Sequence, residues 1–506
     1  MRRVSEHAGG AMAAILPPLT LRFWAVLLMA LALVLAPAPV HAQPPERGGG
    51  GMSPVFPGAD DPLLENFRLY LYYEADGYPP RIVPAVERLM DPPLNYFRLF
   101  PRREVVLITN LGATDGYVGI PDLERILKWK LVKVKVVLTP PGGLEEENFP
   151  GVKAKAALRL LSERGIPVHE ITPEDPDPLP ELVRRYDGVI FDLPTVGSRY
   201  HLHTRLLARL VGLMEELWEE GLRRKVLLVV DHPNPSGRHP EGLLLSGPVL
   251  PGDPPLECPP VFGVTLGELA SYQMAGPPMR MVRVRVADLG FYGAGLPYRS
   301  YGLNFFPPDP ELDEPAKVLN FPGLVLLSAT NLSLGQGTPL YMKVVGAPWL
   351  DPERVISAIP VKAGFTLYPV SFIPRQGPYA GEKVRGIGIE PADDPDFYSP
   401  LRVSMELLSA VARVHRDRLR ISPEFDLMVG VEGAAGLVRQ GRVGELFDRF
   451  RRDKATRQWQ RLVRMGFIIG YEGNGHFNGT PPGYYLGWRP RYLSGEGIYF
   501  NPPLTE

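Results

Sequence analysis

Between Glu104 and Asp231 the apolar positions come in blocks whose period switches back and forth. Val105-Val106-Leu107-Ile108-Thr109 is an unbroken apolar run of strand length, and Pro121 to Lys130 has helical spacing with proline at its start. Val132 to Leu138 returns to β-branched residues, and Val152 to Arg164 spaces Ala and Leu helically up to Gly165, which suits a helix end. Val168 to Ile171, Gly188 to Asp192 and Val226 to Asp231 read as three more strands. Between the last two, Thr204 to Arg224 carries Leu206, Leu207, Leu210, Met214 and Leu217 on one helical face. Strand and helix alternating at this spacing predict an α/β fold, a parallel sheet covered on both faces. In such a sheet the loops leaving the strands' carboxyl ends gather along one edge. Three polar loops qualify as walls of a cleft: Thr139 to Glu147, Asp192 to His203 and Asp231 to Glu241.

The remainder has less regular grammar. From about Arg280 to Tyr471, Met281–Val286, Leu324–Leu327, Phe365–Val370 and Val384–Ile389 read as strands, whereas Asp351–Ile359, Tyr398–Arg416 and Val443–Met465 read as helices. That mixture predicts a smaller α+β domain. The expected organisation is a leader at 1–42, a linker and wrapping arm at 43–103, a parallel-sheet domain at 104–279, the α+β domain at 280–471, and an aromatic, Gly- and Pro-containing tail at 472–506. In the leader, Arg2, Arg3 and Arg22 precede an uncharged run from Phe23 to Ala36, followed by Pro37, Pro39 and Val40-His41-Ala42. These are the parts of a secretory signal peptide, and the run is shorter than the roughly 20 residues of a membrane span. The expectation is an extracytoplasmic protein, periplasmic or secreted, with no membrane span once the leader is cleaved; a retained leader would leave it anchored.

Composition narrows the chemistry. Fifty-five Lys and Arg against 56 Asp and Glu leave a net charge of −1, without the basic field that nucleic acid requires. Cys258 is the one cysteine, so neither an internal disulfide nor a cysteine-based zinc site is expected. The first strand-to-helix turn, Thr109 to Gly116, lacks the GxGxxG spacing of a dinucleotide site, and GxxxxGK[ST], HExxH and GxSxG are absent. No cofactor is called for. His201 and His203 point apart on a helix and share a face only in an extended segment, so no metal is expected there. Nothing in the pattern sets an oligomeric state.

What remains is carboxylates and amides at strand ends. Asp192 closes one strand; Asp231 closes the next and leads into His232-Pro233-Asn234-Pro235-Ser236-Gly237 and Glu241. Paired carboxylates across a cleft are what glycoside hydrolysis uses, one to protonate the leaving oxygen and one as base or nucleophile. Strand-end aspartates also cap helices and tie their own loops.

Five motifs occur in order: FDLPTVGSRY from Phe191, VVDHPNPSG from Val229 with Glu241-Gly242 beyond it, GVTLGELA from Gly263, TNLSLGQGT from Thr330, and GAPW from Gly346. Through them the chain resembles the exo-β-N-acetylmuramidases, a family formerly called domain of unknown function 1343, over about Glu104 to Tyr471. The resemblance implies exported glycosidases that remove N-acetylmuramic acid from the non-reducing ends of peptidoglycan fragments. It also implies a Rossmann-like amino-terminal domain, a smaller carboxyl-terminal domain and a cleft between them. The partner would be a peptidoglycan-derived amino sugar or muropeptide.

Departures from the family pattern concentrate on ionisable groups. Where the family carries Pro-Glu-His-Gly, whose Glu is its leading catalytic candidate, this chain has Pro140-Pro141-Gly142-Gly143; Pro141-Gly142 stands for the Glu-His. Pro194-Thr195 replaces a Gln-Asp pair, and His232 stands at a basic position. Proline cannot deliver a proton, which removes a general-acid contribution of roughly 10²–10⁴-fold. Two expectations of different class follow. One is a divergent glycosidase using Asp231 or Asp192 with a glutamate of the 145–147 run, Glu146 foremost, and Asn234, Arg199, Glu241, His232, Asn331 and Thr330 as sugar ligands. The other is a non-catalytic extracytoplasmic sugar-binding or envelope-structural protein on the same fold. A carboxyl pair spaced across an open cleft favours the first; a cleft plugged by Phe262 or Tyr200 favours the second.

Overall fold

The computed structural model describes residues 82–89, 99–128, 132–172, 178–250, 252–273, 283–287, 301–360, 364–392 and 398–465. The expected signal peptide, most of the linker and arm, and the expected tail lie outside the described residues.

Six parallel strands make the first sheet: Glu104–Thr109 (β1), Lys133–Thr139 (β2), Val168–Glu170 (β3), Gly188–Asp192 (β4), Val226–Val230 (β5) and Arg283–Ala287 (β6), in the order β3-β2-β1-β4-β5-β6. β4 and β5 are buried along their whole lengths, which is why their sequences are nearly continuous apolar runs rather than alternating ones. Ala85–Arg88 (α1) precedes the sheet, and the crossovers carry Asp122–Lys128 (α2), Lys155–Glu163 (α3), Leu179–Arg185 (α4), Leu202–Glu219 (α5) and Leu266–Gln273 (α6). This is the Rossmann strand order. It grows outward in one direction from β1 and in the other from β4, so the loops leaving these two neighbours diverge and open a crevice at their carboxyl ends. Thr109 and Asp192 are register partners at the mouth of that crevice.

The second part is helical around a small antiparallel sheet. It comprises Pro315–Leu324 (α7), a 3-10 turn at Val325–Ala329, Val344–Ala347 (β7), Pro352–Ala358 (α8), Phe365–Phe372 (β8), Val384–Pro391 (β9), Pro400–Val414 (α9), Glu424–Val429 (α10), Ala434–Arg439 (α11), Val443–Arg452 (α12) and Lys454–Met465 (α13). The three strands run in the order β7-β9-β8. α7 crosses α9 so closely that a Cβ on Gly323 would stand 2.0 Å from the Pro400 carbonyl oxygen. α13 reaches back to the first domain, where buried Trp459 donates from Nε1 to the Phe262 carbonyl at 2.8 Å.

Three expectations change. The Met281–Val286 strand joins the first sheet as β6, parallel to β5, so the parallel-sheet domain continues past 279. Leu324–Leu327 is the end of α7 and a 3-10 turn, since so short an apolar run has no period of its own. Val443–Met465 is two helices that part at Asp453, whose carboxylate accepts from the Thr456 N–H at 2.7 Å and caps the second.

Candidate active site at the strand-order reversal

The crevice between β1 and β4 contains a cavity of about 50 Å³. Its polar wall is acidic, with Asp115, Asp122, Asp231 and His232, and its apolar wall includes Leu303, Phe305 and Phe306. Ile82, Pro84 and Ala85 of the amino-terminal arm close it. Drug-sized ligands occupy roughly 300–1,000 Å³, so a whole sugar does not fit the cavity as it stands. The arm is held by the Tyr117 hydroxyl, which accepts from the Ile82 N–H at 2.8 Å and donates to the Ile82 carbonyl at 3.1 Å. Neither Phe262 nor Tyr200 lines the cavity; both are packed in the core. Gly112 brings the backbone close on the opposite side, where a Cβ would stand 2.2 Å from the Pro307 carbonyl oxygen.

Three buried side chains meet at the floor. Asp192 accepts from the Thr109 hydroxyl at 2.8 Å and from His232 Nε2 at 2.9 Å. Asp122 Oδ2 stands 4.0 Å from the same nitrogen, while its Oδ1 is buried without a hydrogen-bond partner. Burial lowers the affinity of His232 for its proton, but the bond from Asp192 and the charges of Asp192, Asp122 and Asp231 outweigh it and raise the pKa. Asp122 is shifted well upward, first by burial and then by the Asp192 carboxylate, with His232 and Arg125 opposing. The cluster thus pairs a histidine whose proton is held more tightly than usual with a buried carboxyl that also favours its protonated form.

The other sequence-predicted residues do different work. Asp231 borders the cavity, yet its oxygens accept from the Thr265 hydroxyl at 2.6 Å, the Gly267 N–H at 2.8 Å and the His232 N–H at 3.1 Å, tying the start of α6. Asn234 is buried and donates to the Val264 carbonyl at 2.8 Å. Arg199 is buried and spends its guanidinium on the carbonyls of Leu245, Gly247, Pro248, Leu256 and Cys258. Glu241 lies in a separate 10 Å³ cavity with Tyr398 and Pro400, where it accepts from the Leu401 N–H at the start of α9 at 3.1 Å. Asp192 and Asp231 therefore share the crevice and Glu241 does not. Glu146 is exposed on a 3-10 turn and does not line the cavity. Thr330 donates to the Leu327 carbonyl, and Asn331 clamps Arg418 and Arg420, both within the second domain.

Asp122 and Asp115 are the cleft acids that strand-end reasoning passes over. Asp122 opens a helix, and the signal available was its place on the loop leaving β1, the first strand of the alternation. Asp115 is fully engaged: Oδ1 accepts from the N–H groups of Tyr117, Val118 and Gly119, and Oδ2 pairs with Arg125 at 2.8 Å.

Two groups have metal-ligating atoms within 4.8 Å of one another among the described residues: Asp122, Asp192 and His232, and His201, His203 and Asp309. In the second group the histidine rings touch edge to face, centroids 4.5 Å apart, because His201 is extended as the cap of α5 and only His203 is helical. His203 Nδ1 donates to the Pro194 carbonyl at 2.7 Å, leaving Nε2 as a buried lone pair without a partner. His201 Nδ1 accepts from the His203 N–H, which puts its proton on Nε2, 3.6 Å from Asp309. One imidazole lone pair and one carboxylate make a poor metal set.

A Rossmann sheet with an acid and histidine cluster at its strand-order reversal, followed by a smaller α+β domain, defines an α/β protein with a candidate small-molecule site. The models of the two domains of the exo-β-N-acetylmuramidase NamZ match residues 105–316 and 319–464, and the chain belongs to that family. It is 24% identical over 357 residues to the peptidoglycan β-N-acetylmuramidase NamZ of Bacillus subtilis, covering 69% of this chain and 83% of that protein. Two crystal structures of DUF1343 family proteins from Bacteroides fragilis share the fold. Their TM-scores are 0.59 and 0.53 at 20% and 21% identity, each covering 76% of this chain and 98% of theirs.

Proposed function

We propose that this protein is an exported glycoside hydrolase that removes a muramic-acid-type amino sugar from the end of a peptidoglycan-derived fragment, bound in the crevice between β1 and β4. The observation that carries the reading is the cluster of Asp122 and His232, which line the switch-point cavity, with buried Asp192 behind them, in a chain of the exo-β-N-acetylmuramidase family. Hydroxyl and amide groups of a sugar would meet the acidic wall, and its apolar ring face would meet Phe305 and Phe306. Export rests on the three-part leader before Gln43.

A second reading, sugar binding without cleavage, is favoured by one specific feature: Pro140 to Gly143 offers no ionisable side chain where the family places its Glu-His. One experiment separates the two. The purified mature chain is given a chromogenic N-acetylmuramide, and N-acetylmuramic acid binding is measured by calorimetry. Turnover together with binding supports the hydrolase; binding without turnover selects the silent protein; absence of both removes this cleft as a muramic-acid site.

A further inference from the structure

We propose that Asp122 is the proton donor of this site. The assignment rests on the hydrolase reading above. Among the three acids that line the cavity, Asp115 and Asp231 have both carboxylate oxygens engaged by the protein. Asp122 differs: its Oδ1 is buried and makes no hydrogen bond, and the residue is 1% exposed. An orphaned carboxyl oxygen costs about 1–3 kcal/mol when nothing pairs with it, so its persistence in a ligand cavity points to a partner that arrives with the substrate.

The surroundings favour the protonated form of this carboxyl. Asp192 on β4 lies within the same 4.8 Å cluster, and its charge is bonded to Thr109 and His232. A second negative charge beside it, in a desolvated site, is unfavourable. The facing groups are Asp192, His232 from the loop after β5, Asp115 from the loop after β1, and Arg125 one turn along α2; burial first, then the charges of Asp192 and Asp115, shift the Asp122 carboxyl well above the ordinary aspartate range against the opposing charges of His232 and Arg125. Catalytic acids in glycosidases are raised in the same way.

The step balances with water alone. Asp122 passes its proton to the glycosidic oxygen as the bond from that oxygen to the anomeric carbon breaks, the electron pair leaving with the oxygen. A water adds to the anomeric carbon and releases its own proton to solvent, and the Asp122 carboxylate regains a proton from solvent. The Asp122 to Asp192 spacing is below the 5–5.5 Å and 6.5–9.5 Å of the usual carboxyl pairs, so Asp192 is a positioning residue that holds His232 and keeps Asp122 protonated.

The test compares the parent chain with Asp122→Asn on two substrates, a 4-nitrophenyl N-acetylmuramide and a disaccharide with an unactivated sugar leaving group. A nitrophenolate leaves without protonation and a sugar does not. Asp122→Asn should therefore lose about 10²–10⁴-fold in kcat on the disaccharide and less than about tenfold on the nitrophenyl substrate. The alkaline limb of the parent's disaccharide pH profile should vanish in the variant. Circular dichroism and N-acetylmuramic acid affinity within threefold of the parent establish that the variant is folded, and Asp122→Glu, which restores the acid, should recover part of the lost rate. Equal losses on both substrates in a folded variant, or disaccharide turnover within tenfold of the parent, overturn the assignment while leaving the hydrolase reading in place. A parent inactive on both substrates overturns both.

Discussion

Glu241 is half-buried at the start of α9, and burial pushes its carboxyl up to about 7, against bonds from Ser399 and Leu401 and the charge of Arg402. The folded value lies above the ordinary 4.5, so the fold binds this proton more tightly than the unfolded chain does. Its stabilising contribution is full below about 4.5 and is lost as pH rises through about 7. The melting temperature of the parent should therefore fall more steeply between pH 5 and pH 7.5 than that of Glu241→Gln, the difference being on the order of 2 kcal/mol; parallel profiles would contradict this. The placing of Asp192 and His232 together at the crevice was legible because they stand at the ends of uninterrupted strands and parallel order sends such residues to one edge. Arg199, Asn234 and Asp231 carry the same signal, and what distinguishes them, a set of backbone groups needing partners, is fixed only by the folded loops. Asp122 was missed because an acid after a proline at a helix start reads as ordinary first-turn chemistry.

At the scale of elements, the arm borders the cavity. α1 packs against α2 and β6, Glu87 pairs with Arg125 at 2.6 Å, and Tyr117 bonds the backbone of Ile82 twice. Removing the Tyr117 hydroxyl weakens this latch by about 1 kcal/mol per bond, which shifts the closed arm toward the open one. Tyr117→Phe should accordingly bind N-acetylmuramic acid with an association rate raised roughly tenfold, measured by stopped-flow fluorescence; an unchanged rate would mean that the arm does not gate the cavity. The sequence shows a segment before Glu104 with short amphipathic pieces, which suits an arm, but nothing local says which surface it covers. Element type was readable wherever the apolar period was long, as in β1, β5 and α5. It failed at Leu324–Leu327, where four apolar residues follow a proline that sits inside α7.

For the whole molecule, alternation of strands and helices was enough to set the parallel sheet and hence the edge where the crevice opens. The position of β6 was not, because a strand's own residues do not name the sheet it joins. Among the described residues no helix is long and apolar enough to cross a membrane. The family match spans both domains; within the motifs that carry the resemblance, Asn234 and Asn331 fasten loops, and outside them Gly323 and Gly112 permit close approach of backbone. The central claim, that the crevice between β1 and β4 is the sugar site, is tested most directly by hydrogen exchange with and without N-acetylmuramic acid. Slowed exchange in residues 110–122, 192–197 and 231–236, with no change in residues 330–338, is the predicted result. Protection confined to the second domain, or none at saturating sugar, would contradict it.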